Sequence, residues 1–109
     1  MAEQKIYNKE GEEIRLQPIE KFLSEYPDQR QSLAALIEKG APADDVISPS
    51  KLQRKCLIGY NKALAMLNVL IDSNIAIDTS EPREKMIFVD EEAVEVLLEF
   101  VLTYVTDAE

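Results

Sequence analysis

The 109-residue chain has no histidine and no tryptophan, a single cysteine, Cys56, and only three glycines. Without histidine, the commonest zinc ligand and the usual base of a nucleophilic triad are both missing. One cysteine cannot close an internal disulfide. No apolar run reaches the roughly 20 residues that a membrane-spanning helix needs. The opening stretch "MAEQKIYNKEGEE" is acidic and lacks the apolar core of a secretion leader. A cytoplasmic protein with no membrane association is therefore expected. Three glycines and five prolines are also too few for a fibrous or disordered chain, and 46% hydrophobic with 30% charged residues is a globular balance. One core is expected at this length, because a second would have too little chain to enclose it.

Acidic residues are absent from one window of an otherwise acidic chain. From Ser48 to Ile71 there is no Asp or Glu, while Lys51, Arg54, Lys55 and Lys62 contribute +4, which leaves −13 on the other 85 residues for an overall −9. A basic island on an acidic body points one surface at an anion such as a phosphate backbone. The competing reading is a solvated helix surface. The tight carboxylate groups, Asp44–Asp45 and Asp90–Glu91–Glu92, fall at a loop and a helix start, where acids belong electrostatically. Cys56 has no histidine to activate it and reads as a structural thiol. No catalysis, metal or cofactor is expected.

Along the chain, Lys5 to Tyr7 and Glu13 to Leu16 flank an Asn-Lys-Glu-Gly turn signal, so residues 1–16 read as a small hairpin or a loose arm. Residues 17–109 read as one domain. Within it, Ile19, Phe22, Leu23 and Tyr26 have helical spacing, Pro27 interrupts, and Leu33, Leu36 and Ile37 resume the pattern, giving helices over about 18–39 closed by Gly40 and Pro42. "APADDVI" reads as a loop. Ser48–Pro49, with Ser50 and Gln53, marks a capped helix over 49–56. Gly59 is expected to supply the backbone freedom for a tight turn into a longer helix, about 60–72. On that helix Tyr60, Ala63, Leu64, Leu67, Leu70 and Ile71 form the expected buried face, and Asn61, Ala65, Asn68 and Asp72 the exposed stripe. "IAID" and "KMIFV", separated by a polar turn with Pro82, read as a two-stranded hairpin. Asp90 caps a final helix, about 91–106, whose wide apolar surface needs neighbours on more than one side.

A helix-turn-helix followed by a hairpin is the order of a winged helix. The string "SPSKLQRKCLIGYNKALAMLNVLIDSNIAI" resembles the C-terminal gamma domain of FtsK-type DNA translocases, densely from Ser48 to Asn61 and at Ala63. "EPREKMIFV" resembles that family's wing through Pro82, Arg83 and Glu84. The resemblance covers residues 48–89, and no G-x-x-x-x-G-K-[ST] phosphate loop of a motor accompanies it. It implies a mostly α fold with a small β wing (α+β): a winged helix-turn-helix carrying extra N-terminal and C-terminal helices.

By resemblance, the longer helix enters the major groove of double-stranded DNA and faces the bases with Asn61, Ala65 and Asn68. Ala65 and Asn68 stand where the family has Arg and Glu, so the family's guanine reader and its acidic companion are absent and the original specificity is expected to be lost or changed. Lys55, Leu57 and Lys62 stand where the family has arginines, and Cys56 replaces its Phe. Lysine attracts phosphate without arginine's planar fork, so the basic surface is diluted. The candidate DNA-binding residues are Lys51, Gln53, Arg54, Lys55, Tyr60, Asn61, Lys62, Asn68, Arg83 and Lys85. For Asn61, adenine readout competes with simple helix capping; for Arg83 and Lys85, phosphate contact competes with solvation beside Glu81 and Glu84.

The expectation is a non-enzymatic DNA-binding regulator or accessory factor, with a homodimer through the C-terminal helix presenting two recognition helices. The alternative is a protein–protein interaction module on a winged-helix scaffold that no longer binds DNA.

Overall fold

The structure, a computed structural model, describes residues 5–104. It is mostly helical, with a small three-stranded antiparallel sheet. Helix α1 (Gln17–Glu25) buries Ile19, Phe22 and Leu23 on one face. It stops at Tyr26 because the following proline disfavours helical geometry in the residue before it. A 3-10 turn, Pro27–Gln29, leads into α2 (Arg30–Gly40), which buries Leu33, Ala34, Leu36 and Ile37. Gly40 is the last residue of α2. A Cβ added there would lie 2.6 Å from Ile87 Cδ1, so the glycine lets the helix end approach the sheet.

The expected loop "APADDVI" ends in a strand, β1 (Val46–Ile47), too short to show an alternating pattern in the sequence. Helix α3 (Pro49–Cys56) then begins as anticipated: Ser48 Oγ accepts from the Lys51 backbone N–H at 3.3 Å, and proline occupies the first turn. The turn that follows departs from expectation. Gly59 is extended, with φ −71° and ψ 170°, and an added Cβ there would touch nothing. Leu57 takes the left-handed position instead, at φ 54° and ψ 49°, with its backbone N–H donating to the Gln53 carbonyl.

Helix α4 (Tyr60–Asp72) packs against α3 and α1, and its buried residues are Ala63, Met66, Leu67, Val69 and Leu70. Tyr60, expected in the core, is 55% exposed. Packing from two sides draws Met66 and Val69 inward and leaves Leu64 and Ile71 half-buried, a rotation of the sector that single-face periodicity does not anticipate. The helix ends on buried Ser73, whose hydroxyl donates to the Val69 carbonyl at 2.6 Å. Asn74 follows at φ 69°, a geometry asparagine tolerates.

Strands β2 (Ala76–Asp78) and β3 (Lys85–Ile87) form the anticipated hairpin, and β3 lies between β2 and β1, pairing Met86 with both Ile77 and Val46. Thr79 organises the connecting loop: its hydroxyl accepts from the Glu81 N–H at 3.1 Å and reaches the Glu84 carbonyl at 3.0 Å.

Asp90 caps α5 (Glu91–Thr103), accepting from the Ala93 N–H at 3.0 Å. The helix ends at Thr103, short of the expected 106, with Tyr104 extended; residues 105 and 106 lie outside the described residues. Ala93, Leu97 and Val101 are its buried stripe, and α5 packs on α2, where the Arg30 guanidinium donates to the Val101 carbonyl at 2.9 Å.

The N-terminal segment turns at Gly11, φ 85°, with one bridge between Tyr7 and Glu13. Ile6 and Ile14 are buried in the common core. The Asn8 side chain accepts from the Glu10 and Glu12 N–H groups and donates to the Asn74 carbonyl, while Lys9 N–H donates to Phe88 O and Arg15 N–H to Ser73 O. The hairpin thus seals the junction between α4 and the sheet.

Leu57 gives a stability test. Its side chain is 89% exposed, so little packing offsets the left-handed backbone. Leu57→Gly is expected to stabilise the fold by about 1 kcal/mol, read as a higher midpoint in urea unfolding with unchanged slope.

Candidate nucleic-acid interface

Helix α3 carries Lys51, Gln53, Arg54 and Lys55; Tyr60, Asn61 and Lys62 open α4, Asn68 lies two turns further on, and Arg83 and Lys85 belong to the β2–β3 hairpin. These positions fall on consecutive elements, but all four lysines among them are already engaged. Lys51 Nζ donates to the Val46 carbonyl at 3.1 Å. Lys55 pairs with Asp45 at 2.6 Å, Lys62 with Asp28 at 3.0 Å, and Lys85 with Asp78 at 2.6 Å. Lys62 also sits 6.0 Å from the centre of the Tyr26 ring. Among the described residues, Arg54 and Arg83 are exposed and have no side-chain partner.

Asp28 and Asp45 are what sequence reasoning missed. They lie 34 and 10 residues from their lysine partners, outside the window that carries no acids, and only the packing of the turn before α2 and the loop before β1 brings them to the basic surface. The Lys55–Asp45 pair joins side chains that both keep solvent contact, where such pairs contribute at most about 1 kcal/mol. With the pairs formed, the field over the surface is weaker than +4 implies.

The Lys62 ammonium, and after it the Gln29 amide, holds the Asp28 carboxyl below the usual aspartate range. A lowered folded-state pKa favours the folded state above the unfolded pKa, and that contribution fades as pH falls through the lowered value. Gln29 is buried, and its Oε1 has no hydrogen-bond donor among the described residues. Burial pushes the Cys56 thiol up against a weaker opposing pull from Lys55, and Sγ lies 3.9 Å from Met66 Sδ, an environment that disfavours a thiolate nucleophile.

The remaining carboxylate groups have local roles. Asp44 pairs with Lys9 at 2.8 Å, Asp90 caps α5, and Glu91 and Glu92 occupy its first turn. Among the described residues there is no cluster of three or more His, Cys, Asp or Glu side chains placed to hold a metal ion, and no helix is long and apolar enough to cross a membrane.

Three features define what the surface presents. Asn61 and Asn68 are exposed, and neither amide has a hydrogen-bond partner among the described residues. Ala65, between them, is half-buried. At the α3–α4 turn, Leu57 and Tyr60 project as apolar groups. Leu57 was legible as a departure from the resembled family; for Tyr60 the spacing pointed inward and only the resemblance pointed to the surface, where it lies.

An NMR pH titration checks the Asp28–Lys62 contact: the Asp28 midpoint is expected below that of an ordinary aspartate, and Lys62→Met should raise it. An unchanged midpoint in the variant would remove Lys62 as the cause. No protein-family model matches this chain, and no curated protein or solved structure does either.

Proposed function

We propose that the chain is a winged-helix module that binds double-stranded DNA and acts, without chemistry of its own, as a regulator or accessory factor. The order of elements around α4 carries this reading. A helix, an edge strand, a second helix, a tight turn and α4 are followed by a hairpin whose second strand pairs with the edge strand, and α4 keeps an outward polar stripe. The resemblance of residues 48–89 to a DNA-reading domain supports the same assignment.

In this reading α4 enters the major groove, while Arg54 and Lys55 on α3, Lys62 on α4 and Arg83 on the wing reach phosphates. Lys55 and Lys62 exchange a carboxylate for a phosphate, so the gain per contact is small and Asp28 and Asp45 stay close enough to oppose the backbone. Weak, strongly salt-dependent binding follows. With a slope of about −0.9 per phosphate, four contacts lose roughly two orders of magnitude in affinity between about 50 and 200 mM salt. Pairing of two copies along α5, whose Val94 and Leu98 are half-buried and Leu102 exposed, would offset that weakness by joining two recognition helices.

A second reading, a protein-interaction module on the same scaffold, is favoured by one observation. Leu57, 89% exposed and left-handed, projects an apolar side chain from the turn beside the lysines.

Fluorescence anisotropy on a random duplex at about 50 and 200 mM salt separates the two. Duplex binding that weakens with salt and disappears in a Lys55→Glu/Lys62→Glu variant is the expected result. No binding at tens of micromolar protein would overturn unaided DNA recognition and favour the protein partner. Asp28→Asn/Asp45→Asn is expected to tighten duplex binding several-fold at low salt by releasing Lys62 and Lys55; weaker binding would assign the two aspartates a supporting role instead.

A further inference from the structure

Between α2 and the last turn of α3 runs a groove of about 450 Å³, and no residue of α4 lines it. Gln31, Ala35 and Lys39 follow one side at four-residue spacing, so the groove extends about 12 Å along α2, a little over two helical turns. Ala35, Leu36 and the Cys56 thiol make its apolar lining, and burial disfavours the ionised form of that thiol. Gln31, Ala35, Lys39 and Lys55 are exposed, which leaves the groove open along its length. An open trough of these dimensions matches a segment of polypeptide, whereas a small ligand is held where the protein encloses most of its surface.

Charge decides which kind of segment fits. The chain has 21 acidic against 12 basic residues, yet among the described residues the charged side chains lining the groove are Lys39 and Lys55 alone. Both stand in the last turn of a helix, where the helix dipole favours cations, so their position by itself says little. Their partners say more. Lys39 has no hydrogen-bond or ion-pair partner among the described residues. Lys55 holds the Asp45 carboxylate at 2.6 Å, so this end of the groove already seats one carboxylate from within the chain. With a net charge of −9, the molecule repels an acidic partner over most of its surface and admits it where cations border an apolar floor.

We propose that the groove between α2 and α3 is the docking site for an acidic, amphipathic segment of a partner protein, whose apolar side chains lie on Ala35, Leu36 and Cys56 and whose carboxylates face Lys39 and Lys55. Lys55 also belongs to the proposed DNA surface. Lys39 does not, so a change at Lys39 separates groove docking from duplex binding.

The test selects peptides of about twelve residues, long enough to span the groove as a helix, from a displayed random library on the full chain. Enrichment of sequences that combine Asp or Glu with Leu, Ile or Phe is expected. Synthesised winners should bind about tenfold more weakly to Lys39→Glu and to Ala35→Arg, measured by fluorescence anisotropy. Both positions are exposed, so the urea midpoint is expected to be unchanged in each variant, and Lys39→Glu should keep the duplex affinity of the parent chain. Cys56, the single cysteine, reports where the peptide sits: a bound peptide should slow its reaction with a thiol reagent. Failure to select any peptide would overturn the proposal. So would winners without acidic residues, equal binding to both variants, or an unchanged rate at Cys56, each of which would leave the DNA reading untouched. A dimer in sedimentation that Ala35→Arg dissociates would give the groove to a second copy and overturn it as well.

Discussion

Helix α4 is wedged between α3 and α1, with Ala63, Met66, Leu67, Val69 and Leu70 sealed from solvent. Close packing on two sides leaves only a narrow outward sector of α4, and the residues in it are what the helix presents to any partner. Once Met66 and Val69 turn inward, Asn61, Asn68 and Asp72 must face out. The hairpin at the N-terminus and buried Ser73 hold the C-terminal end of α4, so the helix is anchored at the end away from its polar opening turns.

Charge is distributed by the same packing. The window without acids carries four cations in sequence, yet the folded surface presents Lys55 beside Asp45 and Lys62 beside Asp28. Exposed pairs of this kind add little to stability, but they lower the local potential on which a polyanion depends for its first approach. On the proposed reading, such a surface would hold DNA weakly unless a second copy or a partner added contacts. The outward Leu57 at the adjoining turn adds an apolar contact point where a phosphate-binding side chain would otherwise strengthen attraction.

Much of the fold was legible because its signals are local. Ser48–Pro49 and Asp90 announce α3 and α5 by the hydrogen bonds their side chains make within three residues. Pro27 breaks the N-terminal helical region through its own ring geometry. The hairpin strands declare themselves by composition. Strand β1 was hidden because two residues carry no period and form a strand only by pairing with β3 across 40 positions. The backbone freedom expected at Gly59 is used at Leu57 instead. Glycine is the usual choice for positive φ, but the left-handed residue is Leu57, directly after α3, and Gly59 is extended as the cap of α4.

At the candidate interface the division is similar. Residue types and spacing alone place Asn61 and Asn68 on one face, seven positions apart, since helical periodicity is a property of the backbone. They also define the cationic set of Lys51, Arg54, Lys55 and Lys62 by simple inventory. Which of those cations is free, and whether Tyr60 points in or out, was decided by tertiary structure. Both depend on neighbours brought together from distant parts of the chain: Asp28 and Asp45 on one side, and the two helices that set the rotation of α4 on the other.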